Sequence, residues 1–486
     1  MIPKTWFIVF FWISVHTLFA QKQLDPDHVK EDLNIFERIL KKGHPSLYDY
    51  VSEDSLQFVF EDTKEHLKDS ITDIDLFKDM LGITDRIKDG HLFLFPPNTL
   101  KSDQYYFPLI LKIINTEFYT DTDDFDIPVG SKIIAINNQN ITKILEDFKK
   151  YPATDGFNLT KKYRDIELKF GLYYIYEYGI TRKFEIEYLE PNGAHHTKTV
   201  DAESFVKVKL RNTKRQSYFA NYHNRENGFD FFDQYIGSKA PFVYYKDDIQ
   251  LAVLVVNSFG REIQKFKSDL TSIFKEINKK KIKHLVIDIR QNEGGFRPNA
   301  IHLFSFITDK PFKQITSEYV TSITIPEKKY VSRRFLDEKP FLTYKFKNHP
   351  IYDGWKIDFD DLETIMVPSE NRFKGKVYVT TSGTTFSSAA AFALNAKNDP
   401  DITVIGEEMG GGYYSHNGEF PVYYELPNSK ISFMLFMEKI DNYVIDKTVP
   451  KGSGTPPDKY VGITLEDLIE GKDRILDYIC RLVRGY

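Results

Sequence analysis

After Pro241 the chain settles into a repeated order of short apolar strand and longer helix, and that order constrains the fold more than any other feature. Residues 249–256 read as a strand, 261–279 as an amphipathic helix and 284–289 as a second apolar strand. Residues 376–380, 387–396 and 402–405 repeat the series as strand, helix and strand. Alternation of this kind predicts an α/β sheet with crossover connections. At 486 residues the chain is too long for one ordinary domain, so this core at 241–486 needs companions.

The companions differ in texture. Residues 21–100 carry helical spacing, with Leu33, Phe36, Ile39 and Leu40 on one face. That region ends at Asp89-Gly90, after which His91-Leu92-Phe93-Leu94-Phe95 reads as a strand stopped by Pro96-Pro97. Residues 101–205 read as short strands, and 206–240 as a polar, aromatic connection. Within 127–138, the run Ile127-Pro128-Val129-Gly130-Ser131-Lys132-Ile133-Ile134-Ala135-Ile136-Asn137-Asn138 resembles part of a PDZ domain, with Ser131 where that pattern has Asp. The resemblance implies capture of an extended chain terminus at a sheet edge; an all-β spacer without ligand is the plainer reading.

Residues 1–20 form a separate unit. Lys4, an apolar run to Phe19, and Ala20 before polar Gln21 make a secretory signal peptide too short for a permanent membrane anchor. The expected destination is periplasmic or extracellular. Cys480 is the only cysteine, which excludes a disulfide framework and any multi-cysteine zinc site. Lys plus Arg (65) nearly balances Asp plus Glu (70), so no nucleic-acid partner is expected. No metal or cofactor is called for, and the oligomeric state is not legible.

Four segments carry polar chemistry. In the first, an apolar strand meets Ser382-Gly383-Thr384-Thr385-Phe386-Ser387-Ser388 and then an alanine-rich helix. A serine at a helix start lies among unpaired amides at the positive end of the dipole, where an oxyanion is stabilised. The same place also suits a plain capping serine. In the second, Asp288-Ile289-Arg290-Gln291-Asn292-Glu293-Gly294-Gly295 follows a buried strand, and its paired glycines allow close approach of a ligand or simply turn the chain. His91 is the third feature, and a lone histidine is more often structural than catalytic. Gly406-Glu407-Glu408-Met409-Gly410-Gly411-Gly412 is the fourth.

Together these segments resemble the S41 peptidase family, which includes the C-terminal processing proteases, the tricorn core protease and a retinoid-binding relative. The resemblance implies an α/β core of the ClpP/crotonase kind within a multidomain α/β chain. It further implies a secreted serine-type peptidase acting through an acyl-enzyme on extended polypeptides or protein C-terminal tails. By the same likeness Ser387 falls on the nucleophile, and Gly294 or Gly295 with the Ser388 amide falls on the oxyanion hole. The general-base lysine of the processing proteases falls on Gly412 and is therefore missing. The tricorn-like branch uses a histidine instead, and His91 falls on it, with Gly90 where that branch has serine. An acidic partner is expected among Asp446, Asp441, Glu438 and Glu407, in that order. The missing lysine keeps open a second reading, a non-catalytic binding protein on the same scaffold.

Overall fold

A computed structural model describes residues 22–67, 71–97, 103–218, 240–359 and 366–486. The signal segment 1–20 and most of the connection 206–240 lie outside the described residues. Among those described, no helix is long and apolar enough to cross a membrane.

The core is a six-stranded sheet in the order Phe242–Lys246, Leu251–Val255, His284–Asp288, Lys376–Thr381, Ile402–Gly406, Lys459–Tyr460. The first pair is antiparallel and the others are parallel. Alternate side chains of the central strands go to opposite faces, as the pleat requires. Ala252, Leu254, Leu285, Ile287, Val377 and Val379 pack under helices Ile263–Lys279 and Ser388–Asn398 through Phe266, Phe274 and Phe392. Leu251, Val253, Val286 and Ile405 face the C-terminal helix Arg474–Arg484 through Leu476 and Ile479. Cover on both faces is why these strands are apolar throughout.

A buried ion network fastens that last helix to the sheet. The Arg290 guanidinium donates through Nε and Nη2 to Asp288, at 2.9 and 2.6 Å, and through Nη1 and Nη2 to Asp473, at 2.8 Å each. Asp473 is fully buried and also caps the helix, accepting from the Leu476 amide.

A second sheet contains a long hairpin, Ser415–Glu425 with Ser432–Asn442, beside Ile315–Val320. Strand Phe93–Phe95 adds to it, with Leu94 opposite Phe433. The N-terminal helices Pro26–Gly43, Glu53–Glu65 and Asp73–Ile87 pack there, Phe36 meeting Phe433 edge-on at 4.8 Å. Helix Asp73–Ile87 starts in a Thr72/Asp75 capping box and ends at Lys88, φ 63°, from which the chain turns into Asp89-Gly90-His91.

The region 104–200 departs from the all-strand expectation. Strands Leu111–Ile114, Glu117–Thr120, Lys132–Ile136, Lys183–Leu189 and His195–Asp201 do form a sheet, but helices Ile141–Phe148 and Leu159–Tyr178 interrupt them. The longer helix buries Lys161, Lys162, Arg164, Asp165 and Glu167 along with its apolar residues, so no amphipathic stripe shows in the sequence. Its polar side chains, with Arg215 from later in the chain, also close a sheet edge. Glu167 accepts from the Ile113 amide at 2.7 Å, Arg164 donates to the Ile113 carbonyl at 3.3 Å, and Arg215 donates to the Leu111 carbonyl at 2.6 Å.

The Arg290 network yields a stability prediction. Asp473→Ala leaves a buried guanidinium half-paired and should lower the free energy of unfolding by about 3–5 kcal/mol in chemical denaturation. A loss below about 1 kcal/mol would show that the C-terminal helix does not depend on this pair.

Candidate active site

Strand Lys376–Thr381 delivers the chain to a turn built from hydroxyl side chains. Ser382 donates through Oγ to the Arg290 carbonyl (2.5 Å), and Thr385 through Oγ1 to the Ile289 carbonyl (3.0 Å). The Phe386 amide donates to the Asn292 carbonyl at 3.1 Å, and the Gly410 amide to the Thr385 carbonyl at 2.9 Å. This bolting holds Ser387 at φ 54°, ψ −129°, a conformation that costs a non-glycine residue on the order of 1–3 kcal/mol. Helix Ser388–Asn398 follows at once.

Ser387 occupies the capping position, yet its side chain makes no capping hydrogen bond. Its Oγ lies 3.2 Å from Nε2 of His91, a residue 296 positions earlier in the chain. The His91 ring stacks on Phe386 (centroids 4.5 Å apart, 25° between planes) and meets Phe436 edge-on at 5.1 Å. It is 5% exposed. Burial in this aromatic pocket, opposed by the Asp89 charge and reinforced by His416 and Lys161, pulls its pKa down to about 3. The imidazole is therefore neutral at physiological pH, the state in which Nε2 can take a proton.

The paired glycines run alongside. Gly294 has φ +104°, and a Cβ there would sit 2.7 Å from Ser387 Cβ. Its amide is committed to Asn292 Oδ1 at 2.8 Å. The amides of Gly295 and Ser388 have no acceptor among the described residues, while Ser388 Oγ donates to the Gly295 carbonyl at 3.1 Å. Of the oxyanion donors expected from sequence, the Gly295 and Ser388 amides are thus uncommitted among the described residues, while Gly294 has its amide taken and leaves room for the close approach of Ser387.

The expected acidic partners are elsewhere. Asp446 is exposed and accepts from Thr448 through its amide (2.8 Å) and hydroxyl (2.7 Å). Asp441 accepts from the Ser317 hydroxyl. Glu438 pairs with Lys345 at 2.9 Å, and burial pushes its pKa up to about 7. Glu407 pairs with Arg164 at 3.2 Å. None of the four contacts His91, because each is tied to another partner. The carboxylates that do surround it are Asp89 and Asp155. Asp89, Asp155 and a ring nitrogen of His91 place their ligand atoms within 4.8 Å of one another, all buried. This is the one grouping among the described residues that a cation could bridge. Asp89 sits two residues from His91, in the turn that the sequence marks, but is not among the expected acids. Asp155 lies in a turn between two helices, and nothing in its local sequence marks it.

Residues 250–458 match the family model of peptidase family S41. Within that segment the chain is similar to the S41 peptidases. That segment holds Ser387, both glycines of the turn and the 406–412 loop, while His91 and Asp155 come from outside it. The fold around the matched segment is similar to mature CPAF complexed with lactacystin, at 12% identity, over 95% of this chain and 99% of that one, with a TM-score of 0.61. A mutant of CPAF aligns at 12% identity over 94% and 97%, with a TM-score of 0.63. At such identity the likeness speaks for the multidomain α/β fold alone. No curated protein matches the sequence.

The crowding at Gly294 gives the site's first test. Gly294→Ala should slow fluorophosphonate labelling of Ser387 by about a hundredfold or more, the scale of losing an oxyanion donor. Unchanged labelling would show that the turn does not set the serine's geometry.

Proposed function

We propose that this chain is an exported serine-type endopeptidase that cleaves peptide bonds through an acyl-enzyme on Ser387. The observation that carries the proposal is the 3.2 Å contact between His91 Nε2 and the Oγ of a serine held at positive φ on a helix start. The hydroxyl attacks the scissile carbonyl while His91 Nε2 takes its proton. The carbonyl oxygen gains charge within reach of the Gly295 and Ser388 amides and at the positive end of helix Ser388–Asn398. His91 then returns the proton to the leaving amine, and water repeats the sequence on the acyl-enzyme.

Extended polypeptides, protein C-terminal tails among them, are the proposed substrates. The PDZ-like sheet would present them by strand addition. Its Leu111–Ile114 edge is closed by Glu167, Arg164 and Arg215, so the opposite edge, His195–Asp201, with mostly exposed residues, is where a chain can add. The signal peptide reading directs the protein to the periplasm or the exterior.

A fluorophosphonate probe should label the parent protein and leave Ser387→Ala unlabelled. His91→Ala should retain the fold and lose at least about 10⁴-fold in kcat, as removal of the general base of such a set does. Absence of labelling in the parent would favour the alternative, a binding protein on the same scaffold.

A further inference from the structure

Asp155 stands where both departures from the resembled families meet. Its Oδ1 accepts from the Gly90 amide at 2.8 Å, and its Oδ2 accepts from the Gly412 amide at 3.0 Å. A Cβ on Gly90 would lie 2.9 Å from Asp155 Oδ1 and 2.9 Å from the Phe386 ring, so the carboxylate fills the space of a side chain at 90. A Cβ on Gly412 would overlap the Ser415 carbonyl and lie 3.3 Å from Asp155 Cβ. Serine before the histidine and lysine at 412 are the groups that the resemblance leads one to expect. One carboxylate from a different loop occupies the room of the first and borders the second.

The histidine supplies the second half of the argument. With Nε2 turned to Ser387, its Nδ1 is buried and has no hydrogen-bond partner. The neutral base needs its proton on Nδ1, and that proton needs an acceptor. Two carboxylates are near. Asp89 is already engaged by the His91 amide (2.8 Å), by Asn417 Nδ2 (2.9 Å) and by His44 Nε2 (3.0 Å). Asp155 carries only its two amide bonds and keeps lone pairs to spare. Contacts of this kind commonly tighten when substrate binds.

We propose that Asp155 is the positioning residue of the site, accepting the Nδ1 proton of His91 and fixing the tautomer in which Nε2 faces Ser387. The assignment rests on the serine-type reading above and supplies the acidic member that 438–446 does not. It also predicts a pH dependence. The charged groups acting on Asp155 are Asp89 and Lys161 and, more remotely, Tyr50, with a ring nitrogen of His91 within 4.8 Å; His416 and His44 flank His91 and Asp89. Burial first, and then the Asp89 charge, push the Asp155 carboxyl up to about 7, against the two amide bonds and Lys161. A proton added there ends on the carboxyl, which donates it to Nδ1 and shifts the ring hydrogen to Nε2. Nε2 then no longer accepts from Ser387, so turnover falls as pH drops through about 7.

The test has two arms. In the first, kcat and KM of Asp155→Asn are followed from acid to alkaline pH, with Asp446→Asn as control. A fall in kcat of about a hundredfold or more is expected, with KM nearly unchanged and the acid limb near neutrality displaced, because the wrong tautomer is a kcat defect. Activity within fivefold of the parent, or an unmoved acid limb, would overturn the assignment. In the second, nitrogen NMR of His91 is recorded in Ser387→Ala, which keeps Asp155 and its amide partners. The ring should carry its proton on Nδ1 at alkaline pH and gain Nε2–H as pH falls through neutrality. An Nε2–H ring at alkaline pH would overturn the assignment whether or not the protein is active. An inert parent with the expected NMR pattern would instead sink the serine-peptidase reading and leave the Asp155–His91 contact standing.

Discussion

The site depends first on one buried carboxylate, Asp89. It accepts from the backbone of His91 and from Asn417 on the long hairpin of the second sheet, and it lies 3.0 Å from Nε2 of His44 at the end of the first helix. Three separate parts of the chain are thereby held within a few ångströms of the histidine. Burial alone would raise the Asp89 pKa, but His44 beside it and the His91 amide bring it below its usual value. The Ser46 amide donates to His44 Nδ1 at 3.2 Å, which leaves Nε2 on the Asp89 side of the ring. A buried carboxylate left without such donors would cost several kcal/mol. Asp89 is therefore both the clamp for the His91 segment and a fixed negative charge beside Asp155.

Ser387, the proposed nucleophile, is held by quite different means. Its turn is fastened to the glycine loop by neutral hydroxyls and backbone groups, from Ser382 and Thr385 to the carbonyls of Arg290 and Ile289. Those carbonyls follow directly on Asp288, whose own place is set by Arg290 and Thr380. The strained Ser387 backbone thus rests on the end of a parallel sheet covered on both faces, where the surroundings overdetermine it. Ser387 follows a strand of the core sheet and His91 precedes a strand of the second sheet, so the pair spans the junction of the two.

How much of this could be read from the residues follows from where burial is apolar. The core strands were legible because both faces are hydrophobic; predicted and observed limits differ by a residue or two, as for 284–289 against His284–Asp288. Helix Leu159–Tyr178 was not legible, since Lys161, Arg164, Asp165 and Glu167 are buried in mutual pairs and erase the periodic stripe. Ser387 and His91 could each be a cap or a structural residue when taken singly; only the joint pattern of strand, glycines and serine singled them out. The resemblance places the acid near Asp446 because that stretch lies at the expected point in chain order. The polar turn there caps its own Thr448 instead. A carboxylate that acts by filling the space above two glycines leaves no trace in its own neighbours.

Desolvation explains why such an arrangement can work without lysine. Removing water disfavours whichever form is charged, so it lowers a base and raises an acid in the same pocket. Here it takes His91 down to about 3 and Asp155 up to about 7, reversing their usual order. Between these values the couple stores its proton on the carboxyl, and above them it presents a neutral ring against an anion. The dry aromatic wall of Phe386 and Phe436 that produces the reversal also strengthens any hydrogen bond offered to a developing oxyanion. A lysine at 412 would need a far larger depression to be neutral, and it would have to enter a space already bounded by Ser415 and Asp155. The histidine chemistry and the glycine at 412 are in that sense one structural choice.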